Sequence, residues 1–376
     1  MVDYGQNAMS SLNTDSGNST KKILILSRYT RMGASSRLRM LQYIPALQGS
    51  ELVFEVSAFF GEDYLNDLYA SSRRSPLKLL RYYVKRVAVL MRVGRYDAVW
   101  IEKELFPFLP AIFERWLRAT GARYLVDYDD AVFHNYDLSS RAWVRRLLGN
   151  KIDQVMRASD IVVAGNEYLA ERARQAGAGR VEIIPTVVDH RRYRVSSRST
   201  DQQLAIGWIG SPSTQKYVVS IHAALREVCT RYGAKLVLVG ANPDIATLLP
   251  GIEVETLPWS EDSEAELIER MDIGIMPLID GPWEKGKCGY KLIQYMACGI
   301  PVVASPVGVN VEIVGDNRCG LLAHDQAEWL AALSHLLATR EERTRLGLAG
   351  RHAVESRYSI QAQAPVLEKL LKRLTG

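Results

Sequence analysis

The 376-residue sequence predicts an α/β protein of two doubly wound domains, each on its own parallel sheet. Two observations lead there. Short β-branched or Leu-rich runs alternate with longer amphipathic stretches, the pattern of strand–helix units around a parallel sheet. The runs also fall into two series of six, parted by a segment without a sustained apolar period. The length agrees, since a chain of this size divides comfortably into two domains of about 150 to 200 residues.

The first series is Lys22 to Ser27, Phe54 to Phe60, Ala98 to Glu102, Arg123 to Asp127, Ile161 to Ala164 and Val181 to Ile184. It defines an N-terminal domain over residues 21–190. The second series is Leu204 to Ile209, Lys235 to Val239, Ile252 to Thr256, Asp272 to Pro277, Pro301 to Ser305 and Gly320 to Ala323, giving a C-terminal domain over residues 204–357. Residues 191–203 between them, with Arg191, Arg192, Arg194, Arg198 and several serines, read as the linker, and the hinge falls within Val188 to Gln203. Three helical segments follow Asp325. The last, roughly Ile360 to Leu374, repeats Val366, Leu367, Leu370, Leu371 and Leu374 on one side, so a helix over residues 358–376 is expected to pack back on the first domain. Residues 1–20 are mostly small and polar and are expected to form a disordered tail.

Composition excludes several classes. Hydrophobic residues make up 47% and charged residues 24%, the balance of a globular protein. No apolar run approaches the roughly 18 residues that span a bilayer, and Ile23 to Leu26 is too short for a signal-peptide core, so a cytoplasmic protein is expected. Cys229, Cys288, Cys298 and Cys319 have no close-paired metal spacing and are expected to be reduced thiols. The net charge of +5 is unevenly spread, with eight Arg or Lys and no acid in residues 70–96. No zinc finger or recognition-helix signature accompanies it, so nucleic acid is not expected as a partner. Neither first strand is followed by Gly-x-Gly-x-x-Gly, which argues against an NAD oxidoreductase.

The most informative stretch is Gly286-Lys-Cys-Gly-Tyr-Lys-Leu-Ile-Gln-Tyr-Met-Ala-Cys-Gly299-Ile-Pro-Val-Val-Ala-Ser305, a loop, a helix, a glycine cap and a strand. Gly289 allows close backbone approach, the helix starting near Tyr290 presents free N–H groups, and Lys287 and Lys291 share one face. A diphosphate fits such a site. The alternative is a capped βα unit with solvent-exposed lysines. After the first strand, Arg28 to Arg39 contains Gly33, Arg37 and Arg39, where arginine could hold phosphate oxygens bidentately; solvated arginines at a helix start are the competing reading.

Met296 to Ala304 resembles the ending of the hallmark motif of family 4 glycosyltransferases, a Glu, seven residues, and a second Glu on the helix before Met-Ala-Cys-Gly-x-Pro-Val-Val-Ala. Gly289 matches the family's glycine after the first Glu. The two glutamates are replaced by Gly286 and Gln294; Gln294 can still donate and accept hydrogen bonds, and Glu284 is a candidate to replace the first acid. The resemblance covers nearly the whole chain after Lys21 and implies the GT-B fold, two Rossmann-like domains facing across a cleft. It implies that Lys216, with Gly210, Ser211, Ser213 and Thr214, meets the donor phosphates, that Leu257 and Trp259 lie where the nucleotide base binds, and that Gly33 and Arg37 face the cleft. Ser213 and Thr214 read equally as ordinary helix caps, and Trp259 as core.

Asp127-Tyr-Asp129-Asp130-Ala-Val-Phe-His134 closes the fourth strand, at the end where doubly wound folds bind ligands. An Asp-x-Asp metal site is one reading, but it belongs to a single-domain transferase fold. The preferred reading gives Asp130, with Asp127, a role as base or acceptor ligand, since crowded carboxylates raise one another's pKa. Glu102, Glu104 and His134 are further acceptor-binding candidates. The basic segment starts like a helix at Ser75 and Pro76. Leu77, Leu80, Val84 and Val87 are expected to pack on the sheet, leaving Lys78, Arg81, Lys85 and Arg92 for an anionic membrane surface or simply for solvent.

The expectation is therefore a retaining, metal-independent transfer of a hexosyl group from a nucleotide-diphosphate sugar to a hydroxyl of a glycan or lipid-linked acceptor. No cofactor is called for, and the work is placed at the inner face of the plasma membrane. A nucleotide-sugar epimerase of the same fold and a non-catalytic sugar-nucleotide-binding subunit are the alternatives.

Overall fold

Among the described residues, twelve strands form two six-stranded sheets in which every neighbouring pair is parallel. The computed structural model describes residues 20–49, 51–64, 76–196, 198 and 201–376. The tail up to residue 19, the cap Ser75 and linker residues 197, 199 and 200 lie outside the described residues.

The first sheet contains β1 (Lys21–Leu26), β2 (Leu52–Val56), β3 (Ala98–Glu102), β4 (Tyr124–Tyr128), β5 (Ile161–Ala164) and β6 (Val181–Ile183), in the order β2-β1-β3-β4-β5-β6. The second contains β7 (Ala205–Ile209), β8 (Lys235–Val239), β9 (Val254–Leu257), β10 (Ile273–Met276), β11 (Val302–Ala304) and β12 (Gly320–Leu322), in the order β12-β11-β10-β7-β8-β9. The strand order reverses between β1 and β3 and again between β7 and β10. A crevice opens at the carboxyl ends of the strands at such a point, and ligands bind there.

Central strands read as unbroken apolar runs because helices cover both faces of each sheet. β2 is the exception to the expected boundaries. It ends at Val56 instead of Phe60, because Phe59 and Phe60 leave the sheet for an aromatic cluster, with ring centroids 4.7 Å apart and Phe60 stacked 3.9 Å from Tyr64. The C-terminal helix Ile360–Thr375 buries Ile360, Ala364, Leu367, Leu370, Leu371 and Leu374 in one core with Ile23, Ile25, Trp100 and Leu125 of the first sheet. Val366, expected on that face, is 43% exposed.

The helix Pro76–Leu90 packs the opposite way from the expectation. Leu77, Leu80 and Val84 are 76%, 59% and 59% exposed. The inward side presents Leu79, Tyr82, Tyr83 and Arg86. Arg86 decides the rotation: its Nη2 donates to the carbonyls of Ser27 (2.9 Å) and Ser57 (3.1 Å) beyond β1 and β2, and its guanidinium lies 5.4 Å from the Phe59 ring centroid. Burial lowers its pKa to about 9, with Glu102 pulling partly back. The outward side therefore mixes apolar residues with exposed Lys78, Arg81 and Lys85. No helix among the described residues is long and apolar enough to cross a membrane.

Candidate active site

The second-domain wall begins at Gly286. Gly289 has φ +65°, and a Cβ there would stand 2.3 Å from Ile313, so only glycine allows the chain to turn into the helix Tyr290–Ala297 at this point. Lys291, on that helix, lies with Nζ 5.0 Å from the Trp208 ring centroid, and burial followed by repulsion from Lys287 lowers its pKa to about 7. Here two partly exposed lysines repel each other, a site that an anion would relieve. Gln294 is buried on the same helix. Glu284 accepts a hydrogen bond from the Tyr217 hydroxyl.

Beyond β7, Gly210 to Thr214 closes on itself: Ser211 Oγ lies 2.9 Å from Ser213 Oγ, and Thr214 Oγ1 donates to the Ser211 carbonyl at 3.0 Å. These hydroxyls close a turn rather than capping the next helix, which begins with exposed Lys216 after Gln215. Leu257 ends β9 and its carbonyl accepts from Gly240 N at 2.8 Å. Trp259 is 38% exposed, and its Nε1 donates to Glu264 at 2.8 Å.

Across the cleft, the first domain contributes Arg37, whose guanidinium lies 5.1 Å from the Trp259 ring centroid. Arg31, Arg37, Gly210, Ser211, Trp259 and Glu261 line one cavity of about 530 Å³. Arg37 and Tyr290 also line an adjoining cavity of about 320 Å³ with Tyr193 and Glu264. Glu261 was not singled out from the sequence. It nevertheless ties the walls together, meeting Arg31 at 2.7 Å, Arg192 at 3.2 Å and Arg37 at 3.8 Å. Gly33 lies below this loop, where a side chain would run into Tyr29 at 2.4 Å.

Several predicted first-domain residues are turned inward. Asp127 does not face the cleft; it is 2% exposed and accepts from Arg39 Nε at 2.7 Å, while Arg39 Nη1 donates to the Ile184 carbonyl at 2.8 Å. Arg39 is correspondingly no phosphate ligand in this arrangement. Glu102 accepts from Arg28 N (2.7 Å) and Ser36 Oγ (2.5 Å), holding the loop after β1. Glu104 is buried and paired with Lys151, the Tyr136 hydroxyl and Arg28. His134 has both ring nitrogens engaged, by Asp137 at 2.8 Å and the Tyr168 hydroxyl at 2.9 Å. For these residues the polar atoms serve the fold, because each lies where burial demands a partner.

Asp129 and Asp130 remain at the cleft with an unexpected companion, Lys103, between the two glutamates picked from the sequence. Its Nζ lies 2.9 Å from Asp129 and 4.0 Å from Asp130. Burial opposes ionisation of Asp129, yet Lys103 and Ser35 outweigh it and hold the carboxyl below its usual range. Burial and then the neighbouring Asp129 push Asp130 above it, with Lys103 and Lys287 pulling back. This loop meets the expected phosphate loop directly. A Cβ on Gly286 would sit 2.5 Å from Ala131 Cβ, the Cys288 thiol donates to the Asp129 carbonyl at 3.1 Å, and Asn166 Nδ2 donates to the carbonyls of Gly286 (3.1 Å) and Lys287 (2.9 Å). Gly286 is thus explained by packing: any side chain there would collide with the first domain.

Comparison with known proteins adds to this geometry. Residues 203–339 match the family described as glycosyl transferases group 1. D-inositol 3-phosphate glycosyltransferase of Segniliparus rotundus is 26% identical over 245 residues, 59% of this chain and 53% of the relative. The chain thus spans about half the length of that curated relative. Among solved structures, sucrose-phosphate synthase from Thermosynechococcus elongatus superposes with a TM-score of 0.71 at 16% identity, covering 94% of this chain and 99% of that one. Anabaena Alr3699/HepE in complex with UDP-glucose gives 0.70 at 15% identity, covering 94% and 100%. These likenesses show the GT-B fold.

Proposed function

We propose, from the match of residues 203–339 to the group 1 glycosyltransferases, that this chain transfers a hexosyl group, with retention of configuration, from a nucleotide-diphosphate sugar to a hydroxyl of a glycan or lipid-linked acceptor. The observation that carries the proposal is the single cavity in which Arg37 of one domain faces Gly210, Ser211 and Trp259 of the other. A helix start preceded by Gly289 and flanked by Lys287 and Lys291 lies in the same domain.

In this reading the base lies near Leu257 and Trp259, and the diphosphate takes Lys216, Lys287, Lys291, Arg37 and the amides of residues 289–291. Those groups act where charge develops as the donor breaks, the largest kind of contribution in group transfer. The anomeric carbon loses its bond to the phosphate oxygen, whose electrons stay on the departing nucleoside diphosphate, and gains a bond to the acceptor oxygen on the same face. The acceptor proton passes to Asp130. The four cations meet the phosphate charge without a metal ion. Movement about residues 188–203 admits the donor and closes the walls again. A UDP sugar is a reasonable first donor, since a structural neighbour was solved with UDP-glucose.

The outward side of the helix Pro76–Leu90, apolar and basic together, suits an anionic membrane. We place the enzyme there, at the cytoplasmic face, with acceptors carried in the bilayer. The test is product analysis with nucleotide sugars, with and without a panel of hydroxyl acceptors. Acceptor-dependent release of nucleoside diphosphate is expected. Conversion of the donor into an epimer without acceptor would replace transfer by epimerisation; the relative from Segniliparus rotundus is a glycosyltransferase. Donor binding with no turnover on any acceptor would leave a binding subunit, the reading that loss of a glutamate at Gly286 favours.

A further inference from the structure

Lys103 follows β3 at the point where the strand order of the first sheet reverses, the crevice in which such folds bind ligands. It has φ +65°, a left-handed conformation that a residue with a side chain adopts only where its surroundings hold it. That turn breaks the strand's alternation and swings the side chain toward the loop after β1 and the loop after β4. There its Nζ reaches Ser35 Oγ at 3.1 Å, Asp129 at 2.9 Å and Asp130 at 4.0 Å. An ordinary buried ion pair would need only one carboxylate. Here a single cation serves two adjacent ones unequally, and the less well served, Asp130, is the more exposed, at 29% against 12% for Asp129.

We propose that Lys103 is a positioning residue for the transfer: it fixes Asp129 as the permanent anion and so leaves Asp130 as the group that receives the acceptor's proton. The inference rests on the transferase reading above. Lys103 is faced by Asp129, Asp130, Glu102 and Arg28. Asp129 is faced by Lys103, Ser35 and Arg39, and Asp130 by Asp129, Lys103 and, from the second domain, Lys287. The proton moves from the acceptor oxygen to an Asp130 oxygen as the acceptor oxygen bonds to the anomeric carbon, and it leaves to solvent after the nucleoside diphosphate departs.

The test follows the aspartate carboxyl carbons of the full chain by NMR across pH, with Asp130→Asn identifying the Asp130 signal. Lys103→Met is expected to raise the Asp130 midpoint by about one to three units, the usual effect of losing an opposite charge at this range, while Lys103→Arg holds it within about half a unit. If Lys103→Met does not fold, Asp129→Asn serves instead and is expected to lower the Asp130 midpoint. An Asp130 midpoint that moves in neither variant overturns the role of Lys103. With UDP-glucose as probe donor, the acid limb of the turnover profile should shift with Lys103→Met in step with the NMR midpoint; a uniform loss at all pH values marks a merely structural lysine. Full turnover by Asp130→Asn would instead remove Asp130 as proton acceptor, and no acceptor-dependent turnover by the unsubstituted protein would remove the transferase reading, so each failure is distinguishable.

Discussion

Binding of a nucleoside diphosphate should draw protons from the buffer, and Lys291 sets how many. Its pKa is lowered to about 7 by burial and by Lys287, so it is about half protonated at pH 7 and about one-tenth protonated at pH 8. Two phosphate charges at the helix start would return it toward the ordinary lysine value of about 10.5. Uptake is therefore about 0.5 proton per site at pH 7 and about 0.9 at pH 8. The sign in the free protein is fixed by the same shift. Between about pH 7 and 10.5 the unfolded chain binds more protons at this residue than the folded one, so this group makes stability rise with pH across that window. Calorimetry of UDP binding at pH 8, in buffers of different ionisation enthalpy, reads the uptake as the slope of apparent enthalpy against buffer enthalpy. Lys291→Met should reduce the slope to near zero. A flat dependence in the unsubstituted protein, or an unchanged slope in the variant, would refute the assignment of Lys291 to the phosphate.

Three other outcomes are expected. Lys287→Ala and Lys216→Ala should each weaken UDP binding about tenfold or more, the scale of one charge-assisted contact, read as Kd by titration. Lys151→Met removes the nearer cation of the buried Glu104 carboxylate, leaving Arg28 at 3.3 Å, and should lower stability by about 3 kcal/mol, read from the denaturant midpoint, with Kd for UDP nearly unchanged. Neutralising Arg81 and Lys85 should reduce cosedimentation with anionic vesicles, and Val84→Glu should reduce it further, since Val84 lies on the outward face.

Which parts were legible from the sequence follows from where the information resides. All twelve strands announced themselves, because a strand buried on both faces must be apolar throughout and the turns between them carry their own residues. The helix Pro76–Leu90 was rotated wrongly for a physical reason. Leu77, Leu80, Val84 and Val87 form the more apolar stripe, yet the tyrosines offer larger rings to the aromatic cluster and Arg86 supplies donors to two carbonyls. Periodicity ranks hydrophobicity and cannot see a carbonyl in need of a partner.

The site divides similarly. Gly289 is a local requirement, a left-handed φ before a helix, and was visible. Gly286 is a tertiary requirement, imposed by Ala131 from the other domain, and from sequence alone it looked like a lost acid. Glu102, Lys103 and Glu104 show the limit most sharply. Three adjacent charged residues gave no sign of which would be absorbed by partners distant in sequence, and the structure commits both glutamates to the fold while Lys103 meets the acid pair. The only local signal, the positive φ of Lys103, is a property of the folded backbone. Glu261 was invisible for the same reason, since its three arginines come from two other segments.

The central claim is that the stretch from Gly286 to Gly299 holds a diphosphate. The most direct measurement is thermal unfolding with UDP, UMP and uridine at equal concentration, because a ligand that binds only the folded state raises the midpoint. The account predicts a clear rise with UDP, little or none with UMP and uridine, and loss of the UDP effect in Lys287→Ala. Equal shifts with UDP and UMP, or no shift with UDP at millimolar concentration, would contradict it.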